Sequence, residues 1–266
     1  MASGNDFIHA LRQTYLQNPC QVLPNPLWQT LPRLPDFELS VGFAGEAVNR
    51  LEAWNEHSIY VYWRKDNRQP SLLVRRRLES VQLALMHQDF LDSPTVAGFA
   101  QTRQPYFRLL HDHQHIPQTG LPSGFRYEPV QLPLERDRVL AMIAHADGDG
   151  KPGTDTVESW WLPHVYEAGF WLWVKDTQIG APVALAAGVL DREIGEAVLT
   201  WVQVIPAYQG RGLAAALVSE FLRRSAQKAR FSTVSGTFDF RERENPGGFF
   251  REFGFSGDDV WWLLSR

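Results

Sequence analysis

The stretch Val204-Ile205-Pro206-Ala207-Tyr208-Gln209-Gly210-Arg211-Gly212-Leu213-Ala214 decides how this chain is read. It follows Ala197-Val198-Leu199-Thr200-Trp201-Val202-Gln203, an apolar run of buried-strand character. It precedes an Ala- and Leu-rich helical pattern from Leu213 to Ala229. A strand therefore ends near Pro206, the chain turns through two glycines, and a helix begins. Such a turn aims free backbone N–H groups and the positive end of a helix dipole at one point, which suits a phosphate. Gly210 and Gly212 supply the dihedrals the turn needs and let a bulky anion approach the backbone. Arg211 adds a positive charge beside it. An ordinary strand-to-helix turn with glycines for packing is the plainer alternative.

Composition narrows the classes. The chain has 266 residues, 44% hydrophobic and 21% charged, as expected of a folded protein with a sizeable core. Its formal net charge is −4 and its pI about 6.1, with no dominant basic block. That argues against sequence-independent binding of nucleic acid. Arg75-Arg76-Arg77 is the densest basic run and reads as a solvated strand edge or a small phosphate patch. The single cysteine, Cys20, excludes an intrachain disulfide framework and a cysteine-rich zinc site. The first residues lack a basic segment followed by an apolar one, and no apolar run is long enough to span a bilayer. A cytoplasmic protein with no membrane or nucleic-acid partner is the expectation.

Two domains are expected, 1–118 and 119–266, with the seam in the breaker-rich loop from His111 to Gly124. In the second, strands are expected at Phe125–Leu132, Phe170–Lys175, Val183–Leu190, Ala197–Gln203, Phe231–Asp239 and Val260–Leu264. Helices are expected at Glu135–Ala146, Thr156–Tyr166, Leu213–Ala229 and Asn245–Phe253. Thr154, Asp155 or Thr156 would cap the second of these helices. The first domain reads as α+β. Its expected helices are Asn5–Leu16 and Gly45–Trp54. Its expected strands are Ile59–Arg64, Ser71–Arg77 and Val81–Met86, with a turn at 66–70 and a further element at Tyr106–Leu110.

The spacing of Gln209, Gly212 and Ala214, a Gln-x-x-Gly-x-Ala pattern between a strand and a long helix, resembles the acyl-CoA pyrophosphate loop of the GNAT acetyltransferase superfamily. The element succession β-α-α-β-β-β-α-β-α-β over residues 124–266 is similar to that fold. Asn245-Pro246-Gly247-Gly248-Phe249-Phe250-Arg251-Glu252-Phe253-Gly254-Phe255 resembles the family's Asn-Pro-x-x-Leu-Tyr-x-x-x-Gly-Phe segment. The fold class expected from this resemblance is α/β (α+β). It has a mixed, mostly antiparallel central sheet with splayed fourth and fifth strands, flanked by helices. An N-terminal α+β domain precedes it, either unrelated or a degenerate copy of the same fold without a pyrophosphate loop.

The resemblance implies an N-acetyltransferase that takes acetyl-CoA as cosubstrate and passes its acyl group directly to an amine, of a small molecule or of a protein. A non-catalytic acyl-CoA sensor is the alternative. The CoA site implied comprises Val202, Gln203 and Val204 on the strand, Gln209, Gly210, Arg211, Gly212, Leu213 and Ala214 in the loop, and Asn245 and Phe250 on the last helix. Phe250 stands where the family's general-acid Tyr is usual and has no proton to give. On the fourth strand Glu196, Val198, Thr200, Val202 and Val204 share one face if the strand carries no bulge. Glu196 is the candidate base, with Thr200 holding a water; a solvated residue at the strand's start is the other reading of Glu196. The acceptor and the oligomeric state stay open.

His111, His113 and His115 alternate, as metal ligands on one strand face or as a polar loop. Asp147, Asp149, Asp155 and Glu158 fall at calcium-loop spacing, but Lys151 and Pro152 occupy positions that calcium binding excludes. No metal is expected. Trp160 and Trp161 serve either the core or an acceptor pocket.

Overall fold

The structure, a computed structural model, describes residues 4–64, 70–99, 101–145, 151–237 and 247–266. In chain order the elements are α1 (Gly4–Gln17), α2 (Pro19–Val22), α3 (Leu27–Thr30), β1 (Glu38–Ala44), β2 (Ala47–Trp54), β3 (Ser58–Arg64), α4 (Leu72–Arg77), β4 (Leu83–His87), α5 (Pro94–Ala97) and β5 (Thr102–His111). They continue with β6 (Phe125–Pro129), α6 (Arg136–Ala144), α7 (Thr154–Ser159), β7 (Leu172–Asp176), β8 (Pro182–Asp191), β9 (Glu196–Val204), α8 (Leu213–Ser225), β10 (Phe231–Thr237), α9 (Gly248–Arg251) and β11 (Ser256–Ser265).

The chain forms two compact units. One comprises Met1–Leu109, Ser235–Gly247 and Gly257–Arg266; the other comprises Leu110–Val234 and Gly248–Ser256. Compared with a seam after residue 118, residues 110–118 fall in the second unit and 257–266 in the first. The physical reason for the latter is pairing: Trp261 to Ser265 of β11 run antiparallel to His87 to Leu83 of β4.

In the second unit the strands neighbour one another in the order β10-β9-β8-β7-β6. The sheet is antiparallel except for β9 and β10, which run parallel. Val183 to Leu190 of β8 are buried without alternation, as a strand covered on both faces requires. On one face Ala184, Ala186 and Leu172 pack against Leu213 and Leu217 of α8. Gly188 allows the close approach of that helix, because a Cβ there would lie 2.5 Å from the Phe221 ring.

In the first unit the order is β1-β2-β3-β4-β11-β5. β1, β2 and β3 are antiparallel, and β4, reached through α4, is parallel to β3. This repeats the succession β7-β8-β9-α8-β10 of the second unit. Both parallel pairs have a four-residue register, Ser58↔Leu83 to Val61↔Met86 in one and Phe231↔Glu196 to Val234↔Leu199 in the other. α1 buries Phe7, Ala10, Leu11, Thr14 and Tyr15, a helical stripe.

Some local expectations are corrected. Gly45–Trp54 is not a helix: Ala44 pairs with Ala47 across the two-residue turn Gly45-Glu46, Gly45 has φ +63°, and the chain returns as β2. Ser71–Arg77 is not a strand. The Ser71 hydroxyl accepts the Val74 N–H at 3.2 Å and starts α4, which carries the Arg75–Arg77 run. α7 is shorter than expected, and its N-cap is Gly153, which offers no side-chain cap in place of Thr154, Asp155 or Thr156. Pro163 lies just beyond and cannot continue a helix. The 66–69 part of the expected turn, Asp147, Asp149 and Asn245 lie outside the described residues.

Candidate functional site

β9 ends at Val204, a short turn occupies Pro206–Tyr208, and α8 starts at Leu213. Gly210 (φ +73°) and Gly212 (φ +78°) are both left-handed, a conformation that a Cβ disfavours. Gly212 is the N-cap of α8 and makes no side-chain cap. The N–H groups of the first helical turn therefore have no intrahelical acceptor, and the helix, 13 residues long, adds its positive end. Among the described residues an added Cβ at Gly210 or Gly212 would meet nothing within 4 Å, so both positions border open space. That space is a cavity of about 390 Å³ lined by Val204, Tyr208, Gln209, Gly210, Gly212, Leu213, Ala214, Ala215 and Phe249.

The strand leading to the loop has an open edge. Among the described residues β9 pairs with β10 from Glu196 to Leu199. Beyond that, Ala187↔Trp201 follows Gly188↔Leu199 in the pairing with β8, so Thr200 is bulged out. Ile205 N–H bonds to Val183 O at 3.0 Å, which fixes the antiparallel phase. By alternation Gln203 and Trp201 face β8 with their backbone groups, whereas Val204 and Val202 turn theirs away from β8. Their side chains pack beside α8. On the other face a second cavity of about 260 Å³ is lined by His145, Trp201, Val202, Gln203, Val204, Pro206 and Gln209. The two cavities share Val204 and Gln209.

Polar contacts brace these walls. Gln203 donates to Met142 O at 2.8 Å and accepts from Trp201 Nε1 at 2.9 Å, tying the last turn of α6 to β9. Gln209 Nε2 lies 3.4 Å from Val204 O. Arg211 is exposed, 4.6 Å over the Tyr208 ring, and donates to Ala207 O at 3.2 Å. Tyr208 donates to Asp176 at 3.0 Å, which pushes its phenol up. Asp176 is held below the usual carboxylate range, first by the Gln178 N–H.

The catalytic candidates fall differently. The bulge at Thr200 reverses the side-chain phase, so Glu196 and Val198 do not share a face with Val202 and Val204. Glu196 is wholly buried rather than solvated, accepts a hydrogen bond from Thr233, and lines neither cavity. Thr200 donates to Ala187 O at 2.8 Å. Of the phenylalanines on α9, Phe249 lines the first cavity, while Phe250 packs edge-on against Phe255 with ring centroids 6.0 Å apart. His145 and Phe249 carried no signal in the sequence, since one closes a helix and the other depends on the rotation of a four-residue turn.

The remaining candidates have structural surroundings. Trp160 is buried, and Trp161 lines a separate cavity of about 230 Å³ with Leu132, Pro133, Arg136 and Tyr166. The His113 ring bonds to Ser232 Oγ at 2.7 Å, and burial pushes its imidazole down to about 4. His111 accepts the His113 N–H at 2.8 Å and is likewise lowered by burial. Among the described residues no group of three His, Cys, Asp or Glu side chains is placed to hold a metal, and no helix is long and apolar enough to cross a membrane.

Residues 139–255 match the family model described as Acetyltransferase (GNAT) family. Comparison with curated proteins gives no match. Several solved structures share the fold. A GNAT-family acetyltransferase from Colwellia psychrerythraea is 11% identical, with 99% of this chain and 97% of that one covered and a TM-score of 0.63. A GCN5-related N-acetyltransferase from Sphaerobacter thermophilus is 15% identical, with 84% and 78% covered and a TM-score of 0.62. A tandem GNAT protein from the clavulanic acid biosynthesis pathway is 12% identical, with 99% and 96% covered and a TM-score of 0.53.

Proposed function

We propose that this protein, whose residues 139–255 match the GNAT family model, is an N-acetyltransferase moving an acetyl group from acetyl-CoA to an amine. The observation that carries this reading is the continuity of the open β9 edge with the uncapped, glycine-started N-terminus of α8. The pyrophosphate would sit in the cavity at Gly210 and Gly212, receiving the amides of the first turn of α8. The pantetheine would pair with the backbone of Val202 and Val204 as an added strand. Its path along that edge leads toward the second cavity, where the thioester would meet the amine.

The reaction needs no covalent enzyme intermediate. The neutral amine attacks the thioester carbon, a backbone N–H near Val204 polarises the carbonyl oxygen, and the C–S bond breaks to release thiolate. Phe250 lends no proton, and a thiolate is a tolerable leaving group without one. Glu196, enclosed beside Thr233, would exchange a proton only through that hydroxyl or its other buried neighbours. This enclosure, with Phe250, favours one second reading, an acyl-CoA sensor that binds without transfer.

Calorimetry with acetyl-CoA and free CoA, followed by thiol release against a panel of polyamines, amino sugars and peptide N-termini, tests both. Binding with amine-dependent thiol release supports the enzyme; binding alone supports the sensor. Absence of binding refutes the site.

A further inference from the structure

We infer that His145 is the base that takes the proton from the acceptor amine; this rests on the acetyltransferase reading above. Among the described side chains lining the two cavities, His145 is the one that carries an imidazole, whose neutral ring offers a nitrogen lone pair to a proton. The other ionisable lining group is the Tyr208 phenol, which is already given to Asp176. The carboxylate that the strand pattern offers, Glu196, opens on neither cavity.

The ring's tautomer follows from its surroundings. His145 Nδ1 is 2.6 Å from Ala141 O, and a carbonyl only accepts, so Nδ1 carries the hydrogen. The neutral imidazole then has its lone pair on Nε2, and no protein group hydrogen-bonds that atom among the described residues. Its backbone is held as well. The His145 N–H donates to Ala141 O at 3.2 Å, Gln203 clamps Met142 O to β9, and the Lys151 ammonium donates to Ala144 O at 3.2 Å. A histidine on a braced helix end, with one nitrogen committed and one free, is arranged as a base.

The proton balance is complete. An acceptor arriving as an ammonium gives one proton to Nε2 and becomes the nucleophile. Its nitrogen bonds to the thioester carbon, and the C–S bond breaks with its electron pair on sulfur. The second N–H proton of the tetrahedral adduct passes to the thiolate or to water, and His145 returns its own proton to solvent. The products are an amide and CoA thiol.

The test uses the full chain and the best amine of the panel. His145→Gln and His145→Ala are compared with the unsubstituted protein for CoA affinity, thermal midpoint, and kcat/KM across pH 5.5–9. His145 is exposed, so the midpoint should hold. CoA affinity should stay within about twofold, while kcat/KM falls roughly 10²–10⁴-fold. The limb of the pH profile that rises with imidazole deprotonation should disappear, and added imidazole should restore part of the His145→Ala rate. A merely structural histidine would give neither the altered profile nor the rescue. Retention of kcat/KM within threefold, with an unchanged profile, overturns the assignment. An unsubstituted protein that binds CoA but releases no thiol with any amine overturns the acetyltransferase reading, and this inference with it.

Discussion

Two helices follow the same kind of strand in the same succession, yet their first turns are built in opposite ways. α8 begins at a left-handed glycine without a side-chain cap, and its amides look into a cavity. α4 begins at buried Ser71, whose hydroxyl accepts the Val74 N–H and whose own N–H donates to Glu52 at 3.0 Å. Glu52 is wholly buried, with Arg50 Nε at 3.6 Å and Arg64 Nη1 at 3.9 Å. Burial pushes the Arg64 guanidinium down, and Glu52 opposes that shift. A strand-to-helix turn gathers positive potential in both units. In one unit the first turn of the helix borders a cavity, and in the other a carboxylate of the chain fills the turn. The same topology therefore carries an open turn, the proposed anion site, in one case and a buried ion cluster in the other, and side chains decide which.

The largest expected effect breaks the filled turn. Glu52→Gln leaves two guanidinium groups in a poorly hydrated place without their anion. Removing one partner of a buried pair costs about 3–5 kcal/mol, and the low end applies because Arg50 keeps a third of its side-chain exposure. Urea unfolding should show the loss, with CoA affinity unchanged in the folded protein. A loss below about 1 kcal/mol would mean that the cluster is solvated and the contrast overstated.

The complementary change closes the open turn. Gly212→Asp puts a carboxylate where the pyrophosphate is proposed to bind, and acetyl-CoA affinity should fall at least tenfold, about 1.4 kcal/mol. Gly212→Asn shares the left-handed tolerance without the charge and should fall less. Each costs on the order of 1 kcal/mol of stability from the positive φ. Equal affinities for Asp, Asn and Gly would exclude an anion from this turn.

Sequence legibility follows the same divide. The second unit announces itself because β8 and β9 are apolar runs too buried to be confused with surface, and because Gly210 and Gly212 have one geometric use there. The first unit hides itself. Val48, Leu51 and Ala53 fit a helix as well as a strand, and only the hairpin at Gly45 settles the matter. Leu72-Leu73-Val74 reads as β until Ser71 is seen to cap it. The bulge at Thr200 has no local signature, since it arises from register against β8, yet it moves Glu196 to the other face. The backbone of the open turn is thus legible, whereas the side chains that line the second cavity depend on one-residue shifts in register and rotation.

A smaller effect sharpens the contrast between the two caps. Ser71→Ala removes the hydroxyl that satisfies Val74 N–H and should cost about 1 kcal/mol of stability. Because Glu52 still receives the Ser71 N–H, the turn should persist, and acetyl-CoA binding should not change. A loss matching that of Glu52→Gln, in the same urea titration, would show that cap and carboxylate act as one unit.

The smallest effect separates the arginines. Arg50 and Arg64 flank a buried carboxylate, whereas Arg211 stands in solvent over Tyr208 and donates to Ala207 O. An exposed cation near a bound pyrophosphate acts mainly through solvent, and salt screens it within about 10 Å at 0.1 M. Its resting contacts are weak: an exposed cation over a ring contributes about 0.5–1 kcal/mol. Leaving Tyr208 to meet a phosphate would therefore yield little net gain. Arg211→Ala should weaken acetyl-CoA binding only about two- to threefold at low salt, less than 1 kcal/mol. The difference should vanish near 1 M salt, where the screening length shrinks to about 3 Å. The destabilisation from Glu52→Gln should persist under the same salt, because its ions are shielded by protein rather than by solvent. A tenfold, salt-resistant loss for Arg211→Ala would mean that its guanidinium leaves the ring and binds phosphate directly, so that the open turn, like the filled one, depends on an arginine as well as on its amides.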